Sequence, residues 1–229
     1  MSRPQPTTLD DWQSMFAQIY GRNNSRLDAS TIWIHMVEEM GEVAKDLRTE
    51  DFGSLKVDLP DVFAWLCAFA DREGISVAQA TWDKYPGVCP YCLRPSHCVC
   101  IGGGYEGYDE SRVVRFRTAH RRPDNLSDWQ KQLRTIYGNV NRIVVTTSIG
   151  FHLMEEIGEM AKQLREGNHR GYSEGIADVF VWIMALSMKL ADRMGDFESA
   201  VWHVYPGVCK RCKMSPCDGC DPQSLTIRG

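Results

Sequence analysis

An all-helical fold is what this sequence predicts, and three observations predict it. Apolar residues recur three and four positions apart over long segments, as in Met36, Met40, Val43 and Leu47. No segment alternates polar and apolar residues in the manner of a half-buried strand. The helical pattern is also written twice, so one module of three or four helices accounts for most of the chain.

The repeat is legible block by block. DWQSMFAQIYG (11–21) returns as DWQKQLRTIYG (128–138), and HMVEEMGEVAKDLR (35–48) as HLMEEIGEMAKQLR (152–165). DVFAWLCAFADREG (61–74) returns as DVFVWIMALSMKLADRMG (178–195), and ATWDKYPGVCPYC (80–92) as AVWHVYPGVCKRC (200–212). The offset is 117 at the start of the first three blocks and 120 by the last, so residues were gained or lost within the third. The expected organisation is a first repeat over 8–100, a linker over 101–127, a second repeat over 128–220 and a tail over 221–229.

Each element has a local reason. Thr8–Asp11 and Ser127–Gln130 read as capping boxes that open the first helix of each repeat. Behind them Trp12, Phe16 and Ile19, and then Trp129, Leu133 and Ile136, form the core stripe. Gly21 and Gly138 are the expected stops. The second helix carries the phrases VEEMGEVAKDL and MEEIGEMAKQL. The third is the apolar run after Asp61 or Asp178, and Pro60 places Asp58 and Asp61 in or beside its first turn. A short fourth helix ends at YPGVC. The linker is rich in Gly and charge and lacks clear periodicity; its arginines 112, 115, 117, 121 and 122 read as solvated. Helices alone, with apolar stripes, pack as a bundle.

Composition narrows the function. The 229 residues carry a formal net charge of −4, so no global basic field argues for nucleic acid. The segment IADVFVWIMALSMKL (176–190) is too short and too charged to span a membrane. The N-terminus MSRPQPTTLDDW has no apolar signal region, which leads to an expected cytoplasmic setting. Eight of the nine cysteines fall in two tight clusters, Cys89, Cys92, Cys98 and Cys100, then Cys209, Cys212, Cys217 and Cys220. Four thiolates at such spacing suit a structural, tetrahedral Zn²⁺ in each knuckle, with His97 able to replace one sulfur in the first. Cys67 lies in an apolar run and reads as core.

The acids beside the core stripe need a partner. His35, Glu39, Glu42 and Asp46 each precede a stripe residue by one position; His152, Glu156, Glu159 and Gln163 do so in the second repeat. Glutamates three apart face the same way, roughly 5–6 Å between Cβ atoms, and at a core edge their repulsion calls for Lys, Arg or a divalent cation. Asp61 and Asp178, each ahead of an apolar helix, extend that acidic set into the bundle.

These motifs resemble the MazG-type all-α nucleotide pyrophosphohydrolases, whose signature is EExxE followed after a spacer by ExxD. EEMGE (38–42) and DLPD (58–61) stand in the first repeat, EEIGE (155–159) and GIAD (175–178) in the second, with a fifteen-residue spacer in each. The resemblance implies an internal pseudo-dimer, with a homo-oligomer of it left open. It implies Mg²⁺-dependent (or Mn²⁺-dependent) hydrolysis of a nucleoside triphosphate to monophosphate and pyrophosphate. It further implies metal binding by Glu39, Glu42, Asp58 and Asp61 and phosphate contact by Lys84, and Glu38 beside them is the candidate to orient or deprotonate the attacking water. Asp58 replaces the family's glutamate. The second repeat retains Glu156, Glu159 and Asp178 but has Gly175 for the third ligand and Val204 where the first has Lys84, so its metal site is expected to be weakened. Glu174 substitutes only if the helix begins after it. Of the tryptophans that could stack a base, Trp33 stands out because its counterpart is Gly150. The alternatives are a catalytically degenerate nucleotide sensor and a zinc-knuckle adaptor.

Overall fold

Thr8 opens the first helix as the sequence predicts. Its hydroxyl accepts from the Asp11 N–H (3.0 Å) and the Asp11 carboxylate accepts from the Thr8 N–H (2.9 Å), satisfying two otherwise orphaned donors. The computed structural model describes residues 4–100, 107–218 and 220, and among these residues there is no strand. The expected tail 221–229 and part of the expected linker, 101–106, lie outside the described residues.

The first repeat builds α1 (Leu9–Asn24), α2 (Ala29–Thr49), α3 (Phe52–Glu73) and α4 (Val77–Lys84). The second builds α6 (Leu126–Ile143), α7 (Thr146–Glu166), α8 (His169–Lys189) and α10 (Phe197–Val204). Between α8 and α10 a one-turn α9 (Ala191–Met194) takes up the extra residues of the third block. The linker holds a further helix, α5 (Glu110–Ala119), that its weak periodicity did not predict. Asp109 caps it, Val113 is buried, and Arg117 donates to the Asp83 carbonyl (2.6 Å), so tertiary contacts stabilise a helix too short to persist alone.

Several expected boundaries move. Gly21 and Gly138 lie inside α1 and α6, and the last turns run on to contact the cysteine knuckles. The cap of α6 is Asn125, two residues before Ser127, its side chain accepting from the Asp128 N–H. The third helices begin nine residues earlier than expected. Asp51 and Asn168 cap them, Pro60 sits mid-helix, and Asp58 and Asp61 lie well past the first turn. A mid-helix proline costs about 3 kcal/mol. Leu55, Leu59, Val62, Phe63 and Leu66 are all fully buried on the same helix, at roughly 1.5–3 kcal/mol each, and outweigh it.

The two repeats share one continuous hydrophobic core. Phe63 meets Phe180 and Phe197, and Phe16 packs edge-on against Tyr205 at 5.1 Å. The α2 and α7 helices pack side by side. Trp33 belongs to that seam, its indole N–H donating to the Ile157 carbonyl at 2.7 Å. Gly150, its counterpart, has Leu47 Cδ1 2.6 Å from where a Cβ would stand, so a side chain there would require the Leu47 tip to shift. Most consequential for the site, the fourth helices cross over. α4 packs chiefly on α8 of the second repeat, and α10 packs on α3 of the first.

Candidate active site and cysteine knuckles

The acidic side chains of the first repeat rise from α2 and α3, the most closely paired helices of that repeat. Glu39 is half-buried, and burial followed by repulsion from Asp61 pushes its carboxyl up to about 7. Asp58 is also raised to about 7, first by burial and then by its hydrogen bond to and repulsion from Asp46. Asp46 is buried and likewise raised by burial, and its Oδ2 has no hydrogen-bond partner. Asp61 is buried as well; its Oδ1 accepts from the Tyr205 hydroxyl and its Oδ2 from Lys210 Nζ. Glu42 is exposed and pairs with Lys45 at 2.8 Å.

The other expected catalytic residues are placed elsewhere. Glu38 lies on the exposed side of α2 and its carboxylate pairs with His35 Nδ1 at 2.8 Å. His35 stacks on Trp65, and His152 repeats both contacts with Glu155 and Trp182. Lys84 does not reach the first repeat's acids. It is buried against Asp178 of the second repeat, beside Tyr85, whose hydroxyl donates to Asp178 Oδ1 at 2.6 Å. The crossing of α4 is the physical reason. Correspondingly, the lysine at Asp61 comes from the second repeat, and the absence of a lysine at Val204 deprives neither aspartate of a cation.

The second acidic cluster is thinner. Glu156 is pushed up to about 7 by burial and then by Asp178, Asp178 is itself raised by burial, and Glu159 is exposed. Gln163 stands opposite Asp46 in the repeat. Glu174 lies inside α8 and pairs with Arg170, so it does not replace the missing ligand. At Gly175 a Cβ would lie 2.8 Å from Met160 Cγ, which closes that position to any side chain without repacking.

A divalent cation fits the first cluster better than the second. Buried carboxylates that repel one another, with one oxygen left unpaired, form a hard-oxygen donor set whose charge calls for a cation. Among the described residues, though, no three carboxylates lie as close together as metal ligands do. Asp61 and Glu42 are each turned to a lysine. The second cluster, with Gly175, Gln163 and a lysine-bound Asp178, does not fit.

Cavities adjoin both clusters and are walled by both repeats. One of about 90 Å³ is lined by Tyr20, Asn23, Glu39, Trp65, Tyr205 and Lys210. The other, about 340 Å³, is lined by Tyr85, Tyr91, Tyr137, Glu156 and Trp182 with apolar side chains around them.

The cysteines do gather as their spacing predicts. The Sγ atoms of Cys89, Cys92, Cys98 and Cys100 lie within 4.8 Å of one another, and so do those of Cys209, Cys212, Cys217 and Cys220. Sulfur separations of 3.5–3.8 Å in the first and 3.6–4.0 Å in the second match the edge of a tetrahedron with Zn–S bonds, about 3.8 Å. All nine cysteines are free thiols, and His97 is exposed and outside the set. Cys89 is held down to about 5, first by the Cys98 thiol and, against burial, by backbone N–H groups. Each set is therefore a donor group suited to Zn²⁺.

A family model described as the MazG nucleotide pyrophosphohydrolase domain matches residues 28–93. Residues 28–93 are thus similar to a MazG domain. The matched segment takes in α2, α3, α4 and the start of the first knuckle, and with them Glu39, Glu42, Asp58 and Asp61. No curated protein and no solved structure matches the chain. The MazG family is one of nucleotide pyrophosphohydrolases, and its all-helical architecture agrees with the fold. Among the described residues no helix is long and apolar enough to cross a membrane.

Sequence reasoning missed Asp46, Tyr205 and Lys210 as members of the first site. Asp46 lies on the acidic flank and differs from Gln163, which was a usable signal. The tyrosine recurs in YPGVC in both repeats. Nothing in the sequence marks Lys210, which aligns with Pro90.

Proposed function

We propose that this chain is a nucleoside triphosphate pyrophosphohydrolase that releases nucleoside monophosphate and pyrophosphate, with its chemistry in the MazG repeat 1. The observation that carries the reading is a cluster of buried, mutually repelling carboxylates inside the matched segment, with Asp46 Oδ2 unpaired. Glu39, Glu42, Asp58 and Asp61, with Asp46 beside them, would hold Mg²⁺ or Mn²⁺. When bound, such an ion supplies charge neutralisation for the triphosphate and a lowered pKa for a bound water. Glu39 faces the cavity, whereas Glu38 is tied to His35 and must leave that pair to orient an attacking water. Lys210, and not Lys84, is the cation beside this cluster, paired with Asp61. Tyr20, Trp65 and Tyr205 wall the adjoining cavity and supply aromatic faces for a base. The cysteine sets hold structural Zn²⁺, and free thiols suit a reducing compartment such as the cytoplasm.

The second repeat favours a second reading for itself. The larger cavity, about 340 Å³, adjoins the incomplete acidic cluster, which suits retention of a nucleotide without turnover. Incubation of the full chain with a panel of canonical and modified triphosphates and Mg²⁺ tests both. Pyrophosphate release abolished by Glu42→Gln and reduced less by Glu159→Gln supports the first. Tight binding with no product from any triphosphate leaves only the second.

A further inference from the structure

The lysine that meets Asp61 stands inside a cysteine knuckle. Lys210 lies between Cys209 and Cys212; its Nζ pairs with Asp61 and its backbone N–H donates to the Tyr20 hydroxyl at 3.2 Å. The knuckle is fastened to α1 of the opposite repeat. The Cys217 N–H donates to the Ile19 carbonyl (2.7 Å), Asn23 Nδ2 to the Cys220 carbonyl (2.9 Å), and Arg22 grips both oxygens of Asp218 at 3.0 Å. Tyr205, just ahead of Cys209, takes the other oxygen of Asp61.

The first knuckle docks the same way and yet does a different job. The Cys98 N–H donates to the Ile136 carbonyl (2.8 Å) and Asn139 Nδ2 to the Cys98 carbonyl (2.8 Å). But Pro90 occupies the position of Lys210, and the lysine on Asp178 is Lys84, the last residue of α4. One aspartate thus receives its lysine from a helix and the other from a loop. A twelve-residue loop with four thiols has little apolar surface of its own and takes its fold from a bound metal ion. A helix-borne lysine does not depend on it in that way.

We propose that the second cysteine knuckle, by holding a metal ion, positions Lys210 on Asp61 and so sets the acidic cluster of the first repeat, while the first knuckle has no matching hold on Asp178. The proposal rests on the reading that the first repeat carries the hydrolysis. Lys210 is a positioning residue here. Its metal-linked loop couples zinc occupancy in one half of the chain to turnover in the other.

The test uses the full chain reconstituted with Zn²⁺, with zinc per chain, pyrophosphate release and the NMR signal of hydrogen-bonded lysine ammonium protons as readouts. Lys210→Ala should keep two zinc ions and lower kcat/KM about 10–100-fold, the range for a group that orients a ligand, and Lys210→Arg should restore part of it. Cys212→Ser should lose one zinc, lose the Lys210 ammonium signal and fall by a similar factor, and the double variant should be no worse than either single. Cys92→Ser should also lose one zinc, keep the Lys210 signal and lose at least tenfold less turnover. Asn23→Ala, which leaves every thiol in place, should keep both zinc ions and weaken the Lys210 signal, so the proposal does not depend on a cysteine variant folding. Equal effects of Cys92→Ser and Cys212→Ser, or an unchanged Lys210 signal after the second zinc is lost, would overturn it. If no triphosphate is turned over, the functional reading fails, and the ammonium signal still decides the positioning.

Discussion

Replacing Lys84 with Met should destabilise the protein far more than replacing Lys210 with Met. The side chains of Lys84 and Asp178 are 6% and 11% exposed, so the pair is cut off from water. Without the ammonium, Asp178 keeps only the Tyr85 hydroxyl in a buried site, and breaking such a pair costs about 3–5 kcal/mol. Lys210 is 35% exposed, so water can take its place beside Asp61, which also keeps Tyr205; about 0.5–2 kcal/mol is expected there after discounting for solvent. Burial already raises Asp178, and loss of Lys84 raises it further. The folded variant then holds a proton that the unfolded chain releases, so its deficit should be largest at neutral pH and shrink as pH falls. Urea unfolding followed by circular dichroism, with slopes compared between variants, measures this. Lys84→Met with Asp178→Leu should recover most of the loss, since an apolar pair of similar volume replaces a buried ion pair well. A cost below about 1 kcal/mol for Lys84→Met, or no recovery in the double variant, would refute the assignment of Lys84 to the second repeat's core.

Three further outcomes follow from the acidic clusters. Glu39 and Asp58, raised to about 7 from 4.5 and 3.8, hold protons in the folded chain that the unfolded chain loses, so metal-free stability should fall as pH rises from about 4 to 7. Mg²⁺ competes with those protons, so its stabilising effect in the same unfolding series should grow with pH and level off above about 7; a stabilisation by Mg²⁺ that is largest in acid contradicts this. Gly175→Glu should cost about 1–3 kcal/mol by overpacking against Met160, and Met160→Val, which installs the first repeat's residue Val43 at that position, should recover it; equal midpoints for single and double variants would count against the steric account.

The helices were legible because their signals are local. Trp12, Phe16 and Ile19, or Met36, Met40 and Val43, declare a buried stripe by spacing alone, and the structure buries all of them. Pro60 misled because a proline usually marks a helix start, whereas burial of its neighbours holds it mid-helix. Gly21 misled similarly. A glycine within a helix costs about 1 kcal/mol, and the further turn carries Asn23 to the Cys220 carbonyl and Arg22 to Asp218, which together offset that cost.

The sequence by itself determined the helical class, the acidic stripe next to the core and the two four-cysteine sets, because each is a pattern over a few turns or a short loop. Only the tertiary structure decided which acid meets which base. Asp178 draws Lys84 and Tyr85 from the first repeat, and Asp61 draws Tyr205 and Lys210 from the second, because α4 and α10 each cross to the other half. Periodicity reports the face of a helix that is buried; it carries no information about the helix that covers it.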